Sequence, residues 1–316
     1  ERSERGGSRR DDRGGYGERG YRGGDRGYRG SSGGGGGRRY RDGDRGYRGG
    51  SGGGRGYRDG ERGRSRRVYD DEPRDGLLAD LVGHLHALDG RSYAAYKAIV
   101  GRYRAPAGWF LHIDRVQSDP YAPPTRIHVD VPTDLHGLEL LDEADLLTNA
   151  DRRLAVGDFL TRELHAGFRG TALSIASPGQ EILQRSSIIL RPDEKKEGAG
   201  WVLEVRARLA LPAQGRSIQG HEASRIVGRD LVRELEEAMD LTGERGDRLV
   251  RHVATLEDHR ALTATVARNG WVAFLADGSV LPRRSGVSDD PLDGGVPLQA
   301  PESMAATVEL PHAGMV

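Results

Sequence analysis

No cysteine occurs in the 316 residues. Disulfides, thiolate nucleophiles, Cys-ligated zinc and iron–sulfur clusters are excluded together, and the composition is compatible with a reducing compartment. Lysine is nearly absent: Lys97, Lys195 and Lys196 are the whole complement, although Lys and Arg together number 48. None of the three follows a glycine, so the sequence has no GxxxxGK(S/T) phosphate loop, and no GxGxxG opens a helix after a strand. Long apolar runs are missing too. The longest, such as Trp271 to Ala276, cover six residues, where a bilayer crossing needs roughly 20. Glu1 opens the sequence without a charged-then-apolar leader. The expectation is an intracellular protein with no membrane partner, in cytoplasm, nucleus or organelle.

Leucine, isoleucine and valine are absent from the first 67 residues; the first is Val68. A segment without aliphatic side chains cannot bury enough apolar surface to offset its backbone entropy, so residues 1–67 read as a disordered tail. The formal net charge of zero conceals a division at the same place. Residues 1–67 hold 20 Arg, no Lys and 10 acids, a balance of +10, which leaves 28 basic and 38 acidic residues in 68–316, a balance of −10. Of the 48 glycines, 25 fall in the tail.

The tail repeats itself. Gly24 to Gly30 and Gly43 to Gly49 both read GDRGYRG, Tyr21-Arg22-Gly23 repeats their ending, and Arg-Gly-Gly triplets begin at Arg5, Arg13, Arg22 and Arg48. This pattern resembles the RGG-box class of disordered segments. Arginine forks grip phosphate and stack on bases, tyrosine offers a second stacking face, and glycine lets the backbone follow an irregular strand. Twenty arginines against no lysine favour stacking over plain charge, since a lysine does not stack in this way. The candidate nucleic-acid contacts are Arg5, Arg13, Arg22, Arg29 and Arg48 with Tyr21, Tyr28 and Tyr47, and the expected partner is single-stranded RNA or DNA. Self-association through Arg–Tyr contacts is the competing reading of the same composition. The interspersed acids, Asp25, Asp44 and Asp59 among them, make the expected grip weak and salt-sensitive.

From residue 68 the pattern changes to that of a folded α+β domain. Leu77, Leu78, Leu81, Val82 and Leu85 form one apolar stripe on a helix starting at Asp75 and stopping at Gly90, and a short helical segment covers Tyr93 to Val100. Trp109 to Asp114 and Arg126 to Val131 alternate with period two and predict strands, with Asp119 to Pro124 as the loop between. Helices are expected at Ala150 to His165, His221 to Met239 and Arg248 to Asn269. Further strands are expected at Ala172 to Ala176, Ser187 to Leu190, Trp201 to Leu211 and Met304 to Leu310. A hairpin is expected to join Trp271–Leu275 to Ser279–Leu281 across Asp277-Gly278. Mixed helices and hairpin-connected strands make α+β the fold class.

Catalytic constellations are not visible. The ten histidines include no HExxH, and His84 and His86 are two apart on a helix, so no metal site is expected. Ser174 and Ser285 lack the GxSxG turn, and no carboxylates are spaced as a dyad. Ser177-Pro178-Gly179-Gln180-Glu181 is superficially similar to the Ser-Gly-Gly-Gln signature of ABC ATPases, but Pro178 stands where a glycine amide would face phosphate, so it reads as a turn. Arg283 and Arg284, between Pro282 and Gly286, and Arg216, after Gly215, are the candidate anion-binding residues, with pairing to the domain's own acids as the alternative.

An ordered set of segments carries a family resemblance: Gly90 to Tyr93 with Tyr96-Lys97; Phe110 to Pro120 with Ala122; Pro178 to Leu183; Leu211 to Arg216; and Val272 to Gly286, the most specific. In this order they resemble the N-terminal region of the predicted "ATPase of the ABC class" family. The resemblance implies an α+β domain over residues 68–295 that precedes an ABC-type P-loop core, of which residues 296–316 are the start. It also implies ATP and Mg2+ for the complete protein and a homodimer formed through the core. Val316 falls ahead of the Walker A loop, so the expectation is a truncated core with no catalytic residue in this chain. The functional expectation is a portion that binds RNA; the alternative is a domain lending Arg283 and Arg284 to a nucleotide site or dimer contact.

Overall fold

Alternation builds the centre of the protein. In the computed structural model, which describes residues 74–194 and 200–316, Thr125–Pro132 forms a strand whose Thr125, Ile127, Val129 and Val131 are buried while Arg126, His128 and Asp130 take the other face. Strand side chains point alternately to opposite faces, so one sequence supplies both a core surface and a polar one. We label the strands β1 (Arg74–Leu77), β2 (Gly101–Arg104), β3 (Phe110–Arg115), β4 (Thr125–Pro132), β5 (Leu173–Ser174), β6 (Ile188–Pro192) and β7 (Trp201–Leu209). They form one mixed sheet in the order β1-β2-β3-β4-β7-β5, with β6 also on β7; β1 runs parallel to β2 and the other pairings are antiparallel. The fold class is α+β.

Helices cover the apolar face. These are α1 (Leu78–Ala87), α2 (Leu140–Glu143), α3 (Ala150–Gly167), α4 (Gly220–Arg225), α5 (Leu231–Met239) and α6 (Gly243–Arg268). Leu111, Ile113, Ile127, Val129, Leu203 and Val205 from the sheet join Leu160, Leu164, Leu231 and Leu235 from the helices in one buried cluster. Burying each such side chain contributes about 2 kcal/mol. Gly220 sets how closely α4 meets α1: a Cβ there would fall against the Leu85 carbonyl oxygen and 2.7 Å from the Asp89 amide.

The structure corrects the expected elements at several points. Residues 74–77 form β1 beside β2, so the first helix begins at Leu78, and neither strand was anticipated because each has only four residues and little apolar content. The short helical segment expected at Tyr93 to Val100 does form, as a 3-10 helix over Tyr93–Ile99. The helix expected over His221–Met239 is interrupted by a π-helical turn at Ile226–Asp230, and α6 starts five residues before Arg248, at Gly243. The Asp277-Gly278 turn forms, with Gly278 at φ 85°, but Gly278 and Ser279 bond to Leu298 and no ladder joins 271–275 to 279–281. The hairpin lies further on, between β10 (Arg283–Ser285) and β11 (Ser288–Pro291). Of Met304–Leu310, only Glu309–Leu310 (β12) pairs, with Gly314–Met315 (β13). A small hairpin of β8 (Ala213–Gln214) and β9 (Ser217–Ile218) completes the strands. Among the described residues no helix is long and apolar enough to cross a membrane.

Candidate functional site

The polar face of the β3-β4-β7 sheet gathers most of the chemistry. Strand register lines its residues up in three rows. Phe110, Asp130 and Glu204 make the first, His112, His128 and Arg206 the second, and Arg115, Arg126 and Arg208 the third, with Ser174 of β5 opposite Arg208. A bulge between Ile113 and Arg115 leaves Asp114 as an extra residue beside the second row.

In the first two rows the carboxylates have cationic partners. Arg191 from β6 reaches Asp130 Oδ2 at 2.8 Å and Glu204 Oε2 at 3.2 Å, and Arg206 reaches Glu204 Oε1 at 2.6 Å. Burial alone would raise the Asp130 carboxyl, but His112 and the Arg191 guanidinium outweigh it and hold the group at about 2. Glu204 follows the same logic: its burial is outweighed by Arg206 and Arg191, and its pKa is lowered. The His112 and His128 rings stack with centroids 4.1 Å apart, and His128 Nδ1 lies 2.8 Å from Asp114 Oδ2.

The third row differs. Arg115, Arg126 and Arg208 are exposed, and among the described residues none of the three is in an ion pair. Like charges directly opposite on neighbouring strands destabilise a sheet. Beside this row opens a cavity of about 610 Å³ lined by Arg126, Arg206 and Arg208 with the hydroxyl-bearing Ser174, Ser177 and Ser187. The one carboxylate of the lining, Asp114, faces His128, and Arg206 is held by Glu204, so the guanidiniums of Arg126 and Arg208 with the serine hydroxyls are the groups suited to an oxyanion such as phosphate.

The residues singled out in the sequence lie elsewhere. Arg283 and Arg284 sit on the exposed β10–β11 hairpin. Arg283 faces Asp289 at 3.6 Å, and Arg284 contacts Asp290 at 3.1 Å and Asp293 at 3.2 Å, so the anions beside them belong to their own hairpin. Arg216 occupies the exposed turn between β8 and β9; its carbonyl accepts from the Tyr93 amide at 2.9 Å, and among the described residues its guanidinium is in no ion pair. Arg5, Arg13, Arg22, Arg29, Arg48, Tyr21, Tyr28 and Tyr47 lie outside the described residues. His86 is joined to His221 of α4 by a 2.7 Å contact between their Nδ1 atoms, while His84 Nδ1 faces Arg74.

The description "ATPase of the ABC class N-terminal" belongs to a family model that matches residues 78–241, more than half of the chain. The chain belongs to this ABC-class ATPase family. A second model, the P-loop domain of the ABC-class ATPases, matches residues 245–316. No curated protein matches the chain. The polar sheet face thus lies wholly in the ABC-class N-terminal match, and the Arg283–Arg284 hairpin in the P-loop match. Family membership implies use of a nucleotide with Mg2+. The 245–316 stretch contains no lysine.

The arginine row was hidden for a physical reason. Arg126 and Arg208 each appear in the sequence as the polar partner in an alternating strand, but they are far apart in the chain, and only the β4–β7 register makes them neighbours.

Proposed function

We propose that this chain is the nucleic-acid-binding N-terminal portion of an ABC-class ATPase, with single-stranded RNA as its ligand. The observation that supports this reading is the unpaired row Arg115, Arg126 and Arg208 beside a serine-lined cavity. Guanidiniums contact phosphates and stack on bases, and Asp114, the one carboxylate lining the cavity, contacts His128 rather than these arginines. The arginines and tyrosines of residues 1–67 add the same phosphate-gripping and base-stacking chemistry to this reading. The alternative, in which Arg283 and Arg284 touch nucleotide phosphate, is disfavoured because Asp289, Asp290 and Asp293 compete for the same guanidiniums.

Fluorescence anisotropy of a labelled single-stranded RNA at two salt concentrations tests the proposal. The comparison is between the full chain, the chain lacking residues 1–67, and the double variant Arg126→Ala/Arg208→Ala. Each change is expected to weaken binding and flatten its salt dependence. Equal affinity in all three proteins overturns the proposal.

A further inference from the structure

We propose that His112, His128 and Asp130 form a binding site for a transition-metal ion of the zinc class on the polar face of the central sheet. This is independent of the RNA reading, because it rests on the second row and its neighbour rather than on the arginines of the third. Three observations converge. One potential ligand atom from each of the three residues lies within 4.8 Å of the others, which only this group achieves among the described residues. Two of the atoms concerned are buried without a hydrogen-bond partner: His112 Nε2 and Asp130 Oδ1. The 3.5 Å separation of His112 Nε2 from Asp130 Oδ2 does not satisfy either. Finally, His128 Nδ1 is 2.8 Å from the Asp114 carboxylate. That contact fixes the proton on Nδ1 and leaves Nε2 with a free lone pair, the arrangement by which a carboxylate orients a metal-binding imidazole.

A buried polar atom without a partner costs about 1–3 kcal/mol. One divalent ion satisfies the imidazole nitrogen and the carboxylate oxygen together. Arg191 does not occupy the position, since it contacts Oδ2 of Asp130 and leaves Oδ1 free. The local charge also admits a cation: Asp114, Asp130 and Glu204 carry three negative charges, against two positive charges on Arg191 and Arg206. Two imidazoles and one carboxylate match the borderline ligand preference of Zn2+ and Co2+, and leave a coordination position for water or an oxygen ligand. The three side chains are 18–24% exposed, so an ion reaches them from solvent.

Neither HExxH nor a cysteine-based spacing describes two histidines brought together by strand register. His112 and His128 stand opposite each other on β3 and β4.

The test uses the full chain and cobalt as the probe. Titration with CoCl2 is expected to produce visible d–d absorption bands that ZnCl2 abolishes, with calorimetry giving a single site. His112→Gln and His128→Gln are expected to eliminate the bands while far-UV circular dichroism stays unchanged. Asp114→Asn, which removes only the orienting carboxylate, is expected to weaken binding about 10- to 100-fold. His221→Ala, which removes one member of the other close histidine pair, is expected to leave it intact. Absence of cobalt bands, or binding by a His112→Gln/His128→Gln double variant as tight as that of the unaltered chain, overturns the proposal.

Discussion

Arg126 and Arg208 stand directly opposite each other on β4 and β7, and no described carboxylate is paired with either. Two rows away, Asp130 and Glu204 also face each other across the same two strands, and there Arg191 bridges the like charges. The same sheet therefore resolves one repulsive pair with a counter-ion and leaves the other exposed. An unresolved repulsion is a local cost to the sheet, and in the proposed reading a bound polyanion removes it.

Replacing Arg208 with threonine separates these two effects. Threonine suits a strand, so removing the like-charge pair is expected to stabilise the free domain by about 0.2–1 kcal/mol in urea melts. The same variant is expected to bind single-stranded RNA more weakly, with its log–log salt slope reduced by about one. Loss of stability together with unchanged RNA affinity contradicts both halves of the argument.

Gly220→Ala tests the contact between α4 and α1. The added methyl meets backbone atoms of Leu85 and Asp89, which cannot swing aside as a flexible side chain would, and Gly220 N also donates to Asp89 Oδ1 at 2.6 Å. Overpacking against backbone is expected to cost about 3 kcal/mol, read as a lower urea midpoint with an unchanged m-value. A midpoint within error of the unaltered chain rejects the close approach.

These cases also explain what the sequence revealed. The β3 and β4 strands and the stripe of α1 were legible because period-two and period-3.6 burial is written directly into Phe110–Arg115, Thr125–Pro132 and Leu78–Leu85. The short strands β1 and β2 were not, since four residues such as Gly101-Arg-Tyr-Arg104 carry too little alternation to stand out. The Asp277-Gly278 turn was legible as a turn, but its partner, Leu298, is twenty residues away, and local chemistry cannot name a distant partner. The candidate site has the same character. Its side chains were visible singly, whereas the rows that join His112 to His128 and Arg126 to Arg208 exist only in the register between strands.

The last hairpin is tethered to α6 by two carboxylates, Asp258 and Glu257. Asp258 accepts the consecutive amides of His312 and Ala313 at 2.8 and 2.9 Å, and His312 Nε2 lies 2.7 Å from Glu257, which Arg152 also contacts. Asp258→Ala removes the acceptor from both amides. Their hydrogen exchange, measured by mass spectrometry on the 309–316 peptide, is expected to accelerate about tenfold or more, because hydrogen bonds to a charged group contribute about 1.5–3 kcal/mol each. Exchange in α3 is expected to stay unchanged; unaltered exchange in the peptide removes the tether from the account.

Asp158 supplies the clearest pH dependence. Its carboxylate is fully buried on α3 and meets Arg162 at 2.7 Å, Arg185 at 3.0 Å and His252 of α6 at 3.2 Å. Burial pushes its pKa upward, but the hydrogen bonds from His252, Arg162 and Arg185 prevail and bring it from the ordinary 3.8 to about 2. A folded-state pKa below the unfolded one gives stability that is fully present above about pH 4 and is lost as pH falls through about 2. The shift corresponds to about 2 kcal/mol. Asp158→Asn leaves three cationic or polar partners facing a neutral amide, and is expected to lower stability at pH 7 by about 3 kcal/mol. Its urea midpoint is also expected to fall less steeply than that of the unaltered chain between pH 4 and pH 2, since the group responsible for part of that slope has gone. Parallel profiles for the two proteins across this window reject Asp158 as the titrating group.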